Sequence, residues 1–356
     1  MGTTPLCTAL AGLALLLGSG PAPGLAAASC PPVTGLGTLP GGTNGGAAAV
    51  DGEVIAGFST TAPDGPSQPA WWDRNGTAHA LAVLPGDPGG HATALDSHGV
   101  VVGNDFLAGT GSARRTPARP VRWERNGTVR SLATLPGDTR GSAEGVNAHG
   151  VVVGTSTAVR GHLSEDRAVR WDPDGTVHAL AALPGGVGSE ATGINAAGAV
   201  AGTARSPGNR GRAVRWDPDG TVHELRIPPG DTIGHAAGIN AGGAVAGSTW
   251  PPSGGGHAVR WDPDGTVHAL AALPGGTTGG AFAINAGGVV AGWSDAADGK
   301  EHPVYWDPDG TVHELGALPG GTSGTARAVD AAGVVVGAVT TVDGRSHAVR
   351  WDPRCG

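Results

Sequence analysis

Short apolar runs separated by segments rich in Gly, Pro and Asp recur along the chain from about residue 33. In one representative unit the runs lie at residues 258–261, 266–270, 283–285 and 289–292. None is long enough for a typical helix, and no apolar period of 3.6 residues is present. The pattern therefore predicts four short β-strands in each unit.

The segments between these runs have the chemistry of tight turns. Residues 262–265 read Asp-Pro-Asp-Gly, with Pro at the second position and Gly where a left-handed residue is needed. Residues 285–288 read Asn-Ala-Gly-Gly and also end in Gly. Two hairpins in each unit predict a four-stranded antiparallel meander.

A tryptophan marks every unit, with spacings of 51, 48 and then four times 45 residues. Four-stranded units of this size, repeated seven times, match the blades of a β-propeller. We predict an all-β, seven-bladed β-propeller with four-stranded blades, in which these tryptophans pack between blades. The markers are Trp72, Trp123, Trp171, Trp216, Trp261, Trp306 and Trp351.

The two ends of the repeat array are complementary. The seventh unit stops soon after Trp351 and lacks its last strand, whereas residues 33–42 contain that strand alone. We expect the N-terminal strand to complete blade 7 and close the ring. The propeller domain would then span residues 29–356.

The first residues predict export. An apolar run over residues 6–17 is followed by small residues up to Ser29, although no Lys or Arg precedes it. We interpret residues 1–28 as a signal peptide of a secreted protein. The run is too short to span a membrane.

Removal of the signal peptide would leave two cysteines, Cys30 and Cys355, an even number typical of one disulfide in an exported protein. Aligned with the other units, both cysteines fall where a covalent turn joins the same two strands elsewhere. A disulfide could therefore replace that turn. In the alternative interpretation, residues 27–30 form a lipoprotein cleavage site, and an acylated Cys30 holds the protein at the outer face of the membrane.

Three segments of the repeat resemble the HAF-type extracellular repeat family. They read His-Ala-Val-Arg-Trp-Asp at 257–262, Leu-Pro-Gly-Gly at 273–276 and Gly-Val-Val-Ala-Gly at 288–292. The resemblance covers about residues 33–353 and implies a secreted bacterial protein with a propeller-like fold. It brings no established catalytic residues. The chain has Val259 where Phe is usual and Pro274 where Gly is commoner, so its packing is expected to differ in detail.

Charge and loop length indicate where a ligand would bind. A net charge of −8 gives no general electrostatic reason to expect nucleic acid or an anionic membrane as partner. The loop between the second and third strands is longest in the first three units, and it shares one face of the ring with the Leu-Pro-Gly-Gly segment. The basic side chains on this loop face of blades 1–4 are Arg114, Arg115, Arg119, Arg160, Arg167, Arg205, Arg210 and Arg212.

We hypothesise that this loop face binds a cell-envelope polysaccharide or a surface protein, with a monomer as the binding unit. Trp250 and Trp293 lie near the same face and could stack on a sugar. The competing interpretations are that the arginines are solvated loop charges and that the two tryptophans pack between blades.

Catalytic chemistry has little support in the sequence. The motifs of serine hydrolases, zinc proteases and P-loop nucleotide-binding proteins are absent, and no cofactor or metal is expected. The histidines that recur at one strand position diverge from the ring axis and cannot share a metal ion; they are His79, His178, His223, His268 and His313.

The sequence therefore favours a non-catalytic protein, and we assign no catalytic residue. Acidic residues that do not repeat leave one alternative open, a carbohydrate-active hydrolase or lyase with two carboxylates at the central channel. These residues are Asp105, Glu144, Glu165, Asp166, Glu190 and Asp295. A structural or assembly protein that contacts a partner chain through its loops is the third alternative.

The Cys30–Cys355 disulfide can be tested directly. The intact mass of the secreted protein should be lower than that of its reduced form by two hydrogen atoms. A secreted protein that carries free thiols at both positions, or a lipid on Cys30, would contradict the prediction.

Overall fold

The computed structural model describes residues 33–63, 65–107, 118–161, 163–208 and 210–352. The predicted signal peptide, the cysteines Cys30 and Cys355, and the loop residues Arg114 and Arg115 lie outside these ranges. The predictions made for them stay predictions.

The described residues form seven four-stranded antiparallel sheets, which confirms the predicted seven-bladed β-propeller. No helix occurs in these ranges, and hence none that is long and apolar enough to cross a membrane. Blade 1 comprises β2 (Gly45–Asp51), β3 (Val54–Thr60), β4 (Ser67–Trp72) and β5 (Ala78–Ala80); blade 2, β6 (Gly90–Leu95), β7 (Val101–Phe106), β8 (Ala118–Trp123) and β9 (Val129–Ser131); blade 3, β10 (Arg140–Val146), β11 (Val152–Arg160), β12 (Leu163–Trp171) and β13 (Val177–Ala179). Blade 4 comprises β14 (Gly188–Ile194), β15 (Val200–Ser206), β16 (Arg210–Trp216) and β17 (Val222–Glu224); blade 5, β18 (Ile233–Ile239), β19 (Val245–Trp250), β20 (His257–Trp261) and β21 (Val267–Ala269); blade 6, β22 (Gly279–Ile284), β23 (Val290–Asp295), β24 (Glu301–Trp306) and β25 (Val312–Glu314).

Blade 7 is built from both ends of the described chain. It comprises β26 (Gly321–Val329), β27 (Val335–Thr341), β28 (Ser346–Trp351) and the N-terminal strand β1 (Val33–Gly35). β1 pairs antiparallel with β28, with Val33 opposite Trp351. This pairing confirms that the N-terminal strand completes the last blade and closes the ring.

The core is divided into seven small clusters, each formed by neighbouring blades. In one of them, Ala201 and Ala213 of blade 4 pack against Val245, Val259 and Trp261 of blade 5. The alanines leave room for the indole, because a larger side chain would move the blades apart. This repeated contact of small residues with one tryptophan explains how a chain with few aromatic residues stabilises a ring.

Every marker tryptophan also donates a hydrogen bond to the preceding blade. Its indole Nε1 lies 2.5–2.7 Å from a backbone carbonyl oxygen just beyond the outer strand of that blade, as between Trp261 and Arg226. Trp72 uses the carbonyl of Gly37, which follows β1, so the series continues across the closure of the ring. The side chains are at most 1% exposed, which confirms that they pack between blades.

A second series of contacts crosses the face opposite the long loops. Side-chain amides in the inner hairpins donate to the backbone carbonyl of the next blade at 2.9–3.1 Å, from Asn147 through Asn195, Asn240 and Asn285 to Asp330. Blades 7, 1 and 2 have Asp330, Asp51 and Asp96 at this position. A carboxylate has no N–H to donate, so this amide ladder spans blades 3–7 only.

A glycine permits a β-bulge in every inner strand. In blade 5 the register shifts between Ala236 and Gly238 and leaves Ala237 unpaired. A Cβ atom on Gly247, opposite the bulge, would lie 2.1 Å from the carbonyl oxygen of His235, which is closer than van der Waals contact allows. The equivalent glycines of the other six blades have the same contact, at 1.9–2.1 Å.

Substitution of this glycine should destabilise the ring. Gly247→Ala is expected to lower the free energy of unfolding by about 3 kcal/mol, because the inner strand must move away from the new methyl group. Gly242→Ala is the matched control, since the nearest atom to a Cβ there is 3.4 Å away. Urea unfolding of both variants measures the effect, and equal stabilities would refute the steric account.

Candidate functional site

The inner strands of the seven blades surround an axial channel. Each contacts the inner strand of the next blade, from β2 and β6 round to β26 and β2. Two cavities lie along these strands. The acidic cavity, about 580 Å³, contains Glu144, Glu190 and Asp166, and the arginine cavity, about 450 Å³, contains Arg327.

The channel is where the seven blades differ most in chemistry. The alanine before each bulge is buried in all blades, whereas the bulge residue and the residue two positions earlier vary. The bulge residues are Ala48, Thr93, Glu144, Thr192, Ala237, Phe282 and Arg327, and the earlier ones are Gly46, His91, Ser142, Glu190, His235, Gly280 and Thr325. The seven blades thus share one backbone arrangement but present different side chains to the channel.

Arg205 organises the acidic cavity. Its guanidinium pairs with Asp166 of blade 3, with 3.2 Å between Nη1 and Oδ2, and with Glu190 on its own blade. Thr157 donates to the other Asp166 oxygen at 2.9 Å. The three charged side chains are each less than a third exposed, so the pairs are shielded from water more than ordinary surface ion pairs.

Glu144 lies in the same cavity but has no arginine partner in the described chain. Burial and, to a smaller extent, the negative charge of Glu190 raise the pKa of its carboxyl to about 7, against hydrogen bonds with Ser142 and Asn104. Near neutral pH the cavity therefore holds one carboxyl, Glu144, that is about half protonated, beside the two carboxyl groups of Asp166 and Glu190 that pair with Arg205. A carboxyl with such a pKa can exchange a proton with a ligand.

The acidic cavity continues onto the loop face. A neighbouring cavity of about 540 Å³ shares Ser164, Asp166 and Arg205 with it. The outer cavity is bordered by Leu163 and Val187, which are 77% and 53% exposed. A ligand longer than the channel could thus extend from the axis over blades 3 and 4.

The arginine cavity is lined by the inner strands of blades 7, 1 and 2. The Arg327 guanidinium lies over the Phe282 ring, 4.3 Å from its centre. Phe58 stacks on His91 with 4.5 Å between ring centres, and burial lowers the pKa of His91 to about 4. This imidazole is therefore neutral at physiological pH and does not add to the charge of Arg327.

Glycines on the inner strands of blades 6 and 1 leave room for the side chains of Trp293 and Phe58. The indole Nε1 of Trp293 is 2.6 Å from where a Cβ of Gly280 would be, and the Phe58 ring is 2.7 Å from the corresponding point of Gly46. The two rings occupy the space that the side chain of the equivalent inner-strand residue fills in the other blades. Trp250, by contrast, packs over Gly256 in the loop between β19 and β20.

The predicted arginine surface is largely paired with carboxylates. Arg119 lies 3.7 Å from Asp87, Arg212 lies 2.9 Å from Glu224, and Arg167 bonds to Asp138. Arg160 and Arg210 are exposed on the loop face. Of the six predicted arginines that the structure describes, Arg205 and Arg160 border the cavities of blades 3 and 4, and Arg140, which the sequence analysis did not single out, also lines the acidic cavity.

The recurring histidines each bond to an aspartate of their own blade. Their Nε2 atoms lie 2.7–3.2 Å from the first Asp of the outer turn, as His268 does with Asp262. Within the described ranges, no three His, Cys, Asp or Glu side chains gather closely enough to hold a metal ion.

The remaining acidic candidates have structural contacts. Asp105 is buried and accepts the Leu84 N–H at 2.7 Å, and burial raises its pKa to about 6. Asp295 accepts two loop N–H groups, and Glu165 is exposed. The sequence singled out Glu144, Glu190 and Asp166 but missed Arg327, His91 and Phe58. Comparing inner-strand residues around the bulge from blade to blade would have found Arg327 and His91, whereas Phe58 lies on the second strand.

Comparisons with known proteins agree on the fold. No protein-family model and no curated protein matches the sequence. Virginiamycin B lyase from Staphylococcus aureus is 13% identical with a TM-score of 0.57, over 90% of this chain and 98% of that one. The β-propeller domain of the Trilobed protease from Pyrococcus furiosus is 11% identical with a TM-score of 0.51, over 88% and 94%.

A mutant of puromycin hydrolase is 16% identical with a TM-score of 0.60, and the match covers 87% of this chain but 54% of the enzyme. At these identities the likeness concerns the fold alone. The chain is a seven-bladed β-propeller whose channel carries an acidic cavity and an arginine cavity.

Glu144 should make stability depend on pH. Its pKa is about 7 in the folded chain, against 4.5 for an ordinary glutamate, so the folded state holds the proton more strongly. This stabilisation is complete below about pH 4.5 and is lost as the pH rises to 7 and above. Urea unfolding of Glu144→Gln and the wild type should show an advantage for the variant that grows from pH 5 to pH 8.

Glu165→Gln, on the exposed part of the same blade, is the control and should show a difference that does not change over this range. A constant difference for Glu144→Gln as well would mean that the Glu144 carboxyl titrates like an ordinary one.

Proposed function

We propose that this protein is a binding protein that acts outside the cell, at the envelope, on a glycan or a surface protein held at the loop face. The acidic cavity of blades 3 and 4 and its extension over the loop face are the centre of this site. The binding surface thus coincides with part of the predicted region on blades 1–4.

One observation carries this proposal. The bulge residues Glu144 and Thr192, the non-repeating acids Glu190 and Asp166, and the outer cavity bordered by Leu163 meet on blades 3 and 4. A frame that repeats seven times needs no such variation for its own stability. Pockets of this size with a few charged groups on an otherwise neutral wall are typical of ligand sites.

The ligand would be polar. The acidic cavity offers carboxylate acceptors, the Arg205 guanidinium and the hydroxyls of Thr155, Thr157 and Thr192. Such a set matches the hydroxyls and amides of a glycan or of a polar peptide segment. The extracellular location rests on the expected signal peptide and on the resemblance to HAF-type repeats, with lipid attachment through Cys30 as the alternative form of the same placement.

A second function, hydrolysis or elimination at a glycosidic bond, is favoured by Glu144 and Glu190. Glu144, whose pKa of about 7 lets it give up or take a proton near neutral pH, shares one cavity with the Arg205-paired Glu190, and acid and base catalysis at a sugar uses two carboxyl groups. Propellers of similar fold include proteins named as a lyase and a hydrolase. Those names describe their own reactions.

Co-sedimentation with purified cell-wall material tests the binding function. Wild-type protein should pellet, and Glu190→Gln should pellet about tenfold more weakly, because a charge-assisted hydrogen bond to the ligand is lost. Glu224→Gln is the matched control, since Glu224 is also paired with an arginine on blade 4 but lies on the outer strand.

Equal pelleting of Glu190→Gln and wild type would show that the acidic cavity is not part of the binding site. The absence of pelleting would contradict a cell-wall ligand. The sugar content of the supernatant tests the second function, hydrolysis or elimination. Sugar released by the wild type and not by Glu144→Gln would identify an enzyme, whereas a supernatant free of sugar supports binding alone.

A further inference from the structure

The arginine cavity lies away from the acidic cavity and has a different chemistry. Arg327 takes the bulge position of blade 7, where the neighbouring blades have Phe282 and Ala48. Among the described residues it makes no ion pair within 4 Å, and Glu301 is the charged group that influences it. A guanidinium held over an aromatic ring, with its N–H groups free of carboxylates, is arranged to receive an anion.

The charges of the lining allow one carboxylate of a longer ligand to pair with the cavity. Arg327 is the one cation among the lining residues, His91 is neutral, and Glu301 adds a negative charge that repels groups with several charges. A guanidinium matches the two oxygens of a carboxylate through parallel hydrogen bonds. Groups with several charges, such as clustered sulfates or phosphates, would need more cations than this wall provides.

The rest of the lining suits a sugar ring. Five residues with hydroxyl groups line the same cavity as the guanidinium: Thr93, Ser323, Thr325, Thr340 and Ser346. Phe58 contributes an aromatic surface to the same cavity. Aromatic faces pack against the apolar faces of sugars, while hydroxyls exchange hydrogen bonds with their edges.

We propose that the arginine cavity is a subsite for an acidic sugar residue, in which Arg327 binds the carboxylate and Phe58 packs against the ring. The inference rests on the proposed binding function and names the class of ligand, a glycan that contains uronic acid. The sugar ring lies in the channel, and the chain that continues from it extends towards the loop face.

Calorimetric titration with a galacturonic acid trimer tests the subsite. The wild type should bind it at least tenfold more tightly than the same trimer with its carboxylates reduced to alcohols. Arg327→Gln should lose this preference. Arg345→Gln should keep it, because Arg345 lies in the loop between β27 and β28 of the same blade, is half exposed and pairs with Asp343. Thermal unfolding of each variant confirms that it is folded.

The subsite is refuted if the wild type binds both trimers equally or neither, or if Arg327→Gln retains the preference. A trialanine peptide with a free carboxylate is the third probe, and tighter binding of the peptide than of the acidic trimer would refute the sugar class. Pelleting with cell-wall material separates the two proposals. A protein that pellets through Glu190 but ignores the trimer keeps the binding function and loses the uronic acid subsite.

Discussion

The hydrogen bond from each marker tryptophan to the preceding blade is the contact on which the ring depends. A four-stranded sheet cannot bury both of its faces alone, so every blade needs its neighbours. The indole supplies a large apolar surface and a directed N–H at once, and loss of a buried aromatic side chain of this size generally costs about 3–5 kcal/mol. Because Trp72 reaches a carbonyl next to the N-terminal strand, closing the ring and packing the blades are one event.

Because this contact lies between the blades, the channel wall is free to vary. The alanine before each bulge is fixed by packing, whereas its neighbour along the chain is unpaired and open to the channel. Glu144 and Arg327 occupy equivalent positions in two blades and give opposite chemistry on the same backbone bulge. The same arrangement explains why Ala237 and Phe282 at other copies of the position leave the sheet unchanged.

The fold was predictable from the sequence because its determinants are local and repeated. The tryptophan spacing and the Asp-Pro-Asp-Gly turns define the blades, and the strand at residues 33–35 reveals the closure. The site was predictable in part. Glu144, Glu190 and Asp166 stood out as acids that do not repeat. Their meeting in one cavity depends on β-bulges, whose positions the sequence analysis did not predict. The loop arginines drew attention as charges, and their carboxylate partners, such as Asp138 for Arg167, are distant in sequence.

The amide ladder does not continue round the whole ring. It joins blades 3–7 and is missing where Asp330, Asp51 and Asp96 replace asparagine, which is also where β1 pairs with β28 to close the ring. Exchange of backbone amides should consequently be fastest in the inner turns on this side. The arginine cavity is bounded by the same blades, so we expect its wall to adjust to a ligand more readily than the wall that carries Glu190. Ligand binding would then deform one side of the channel more than the other.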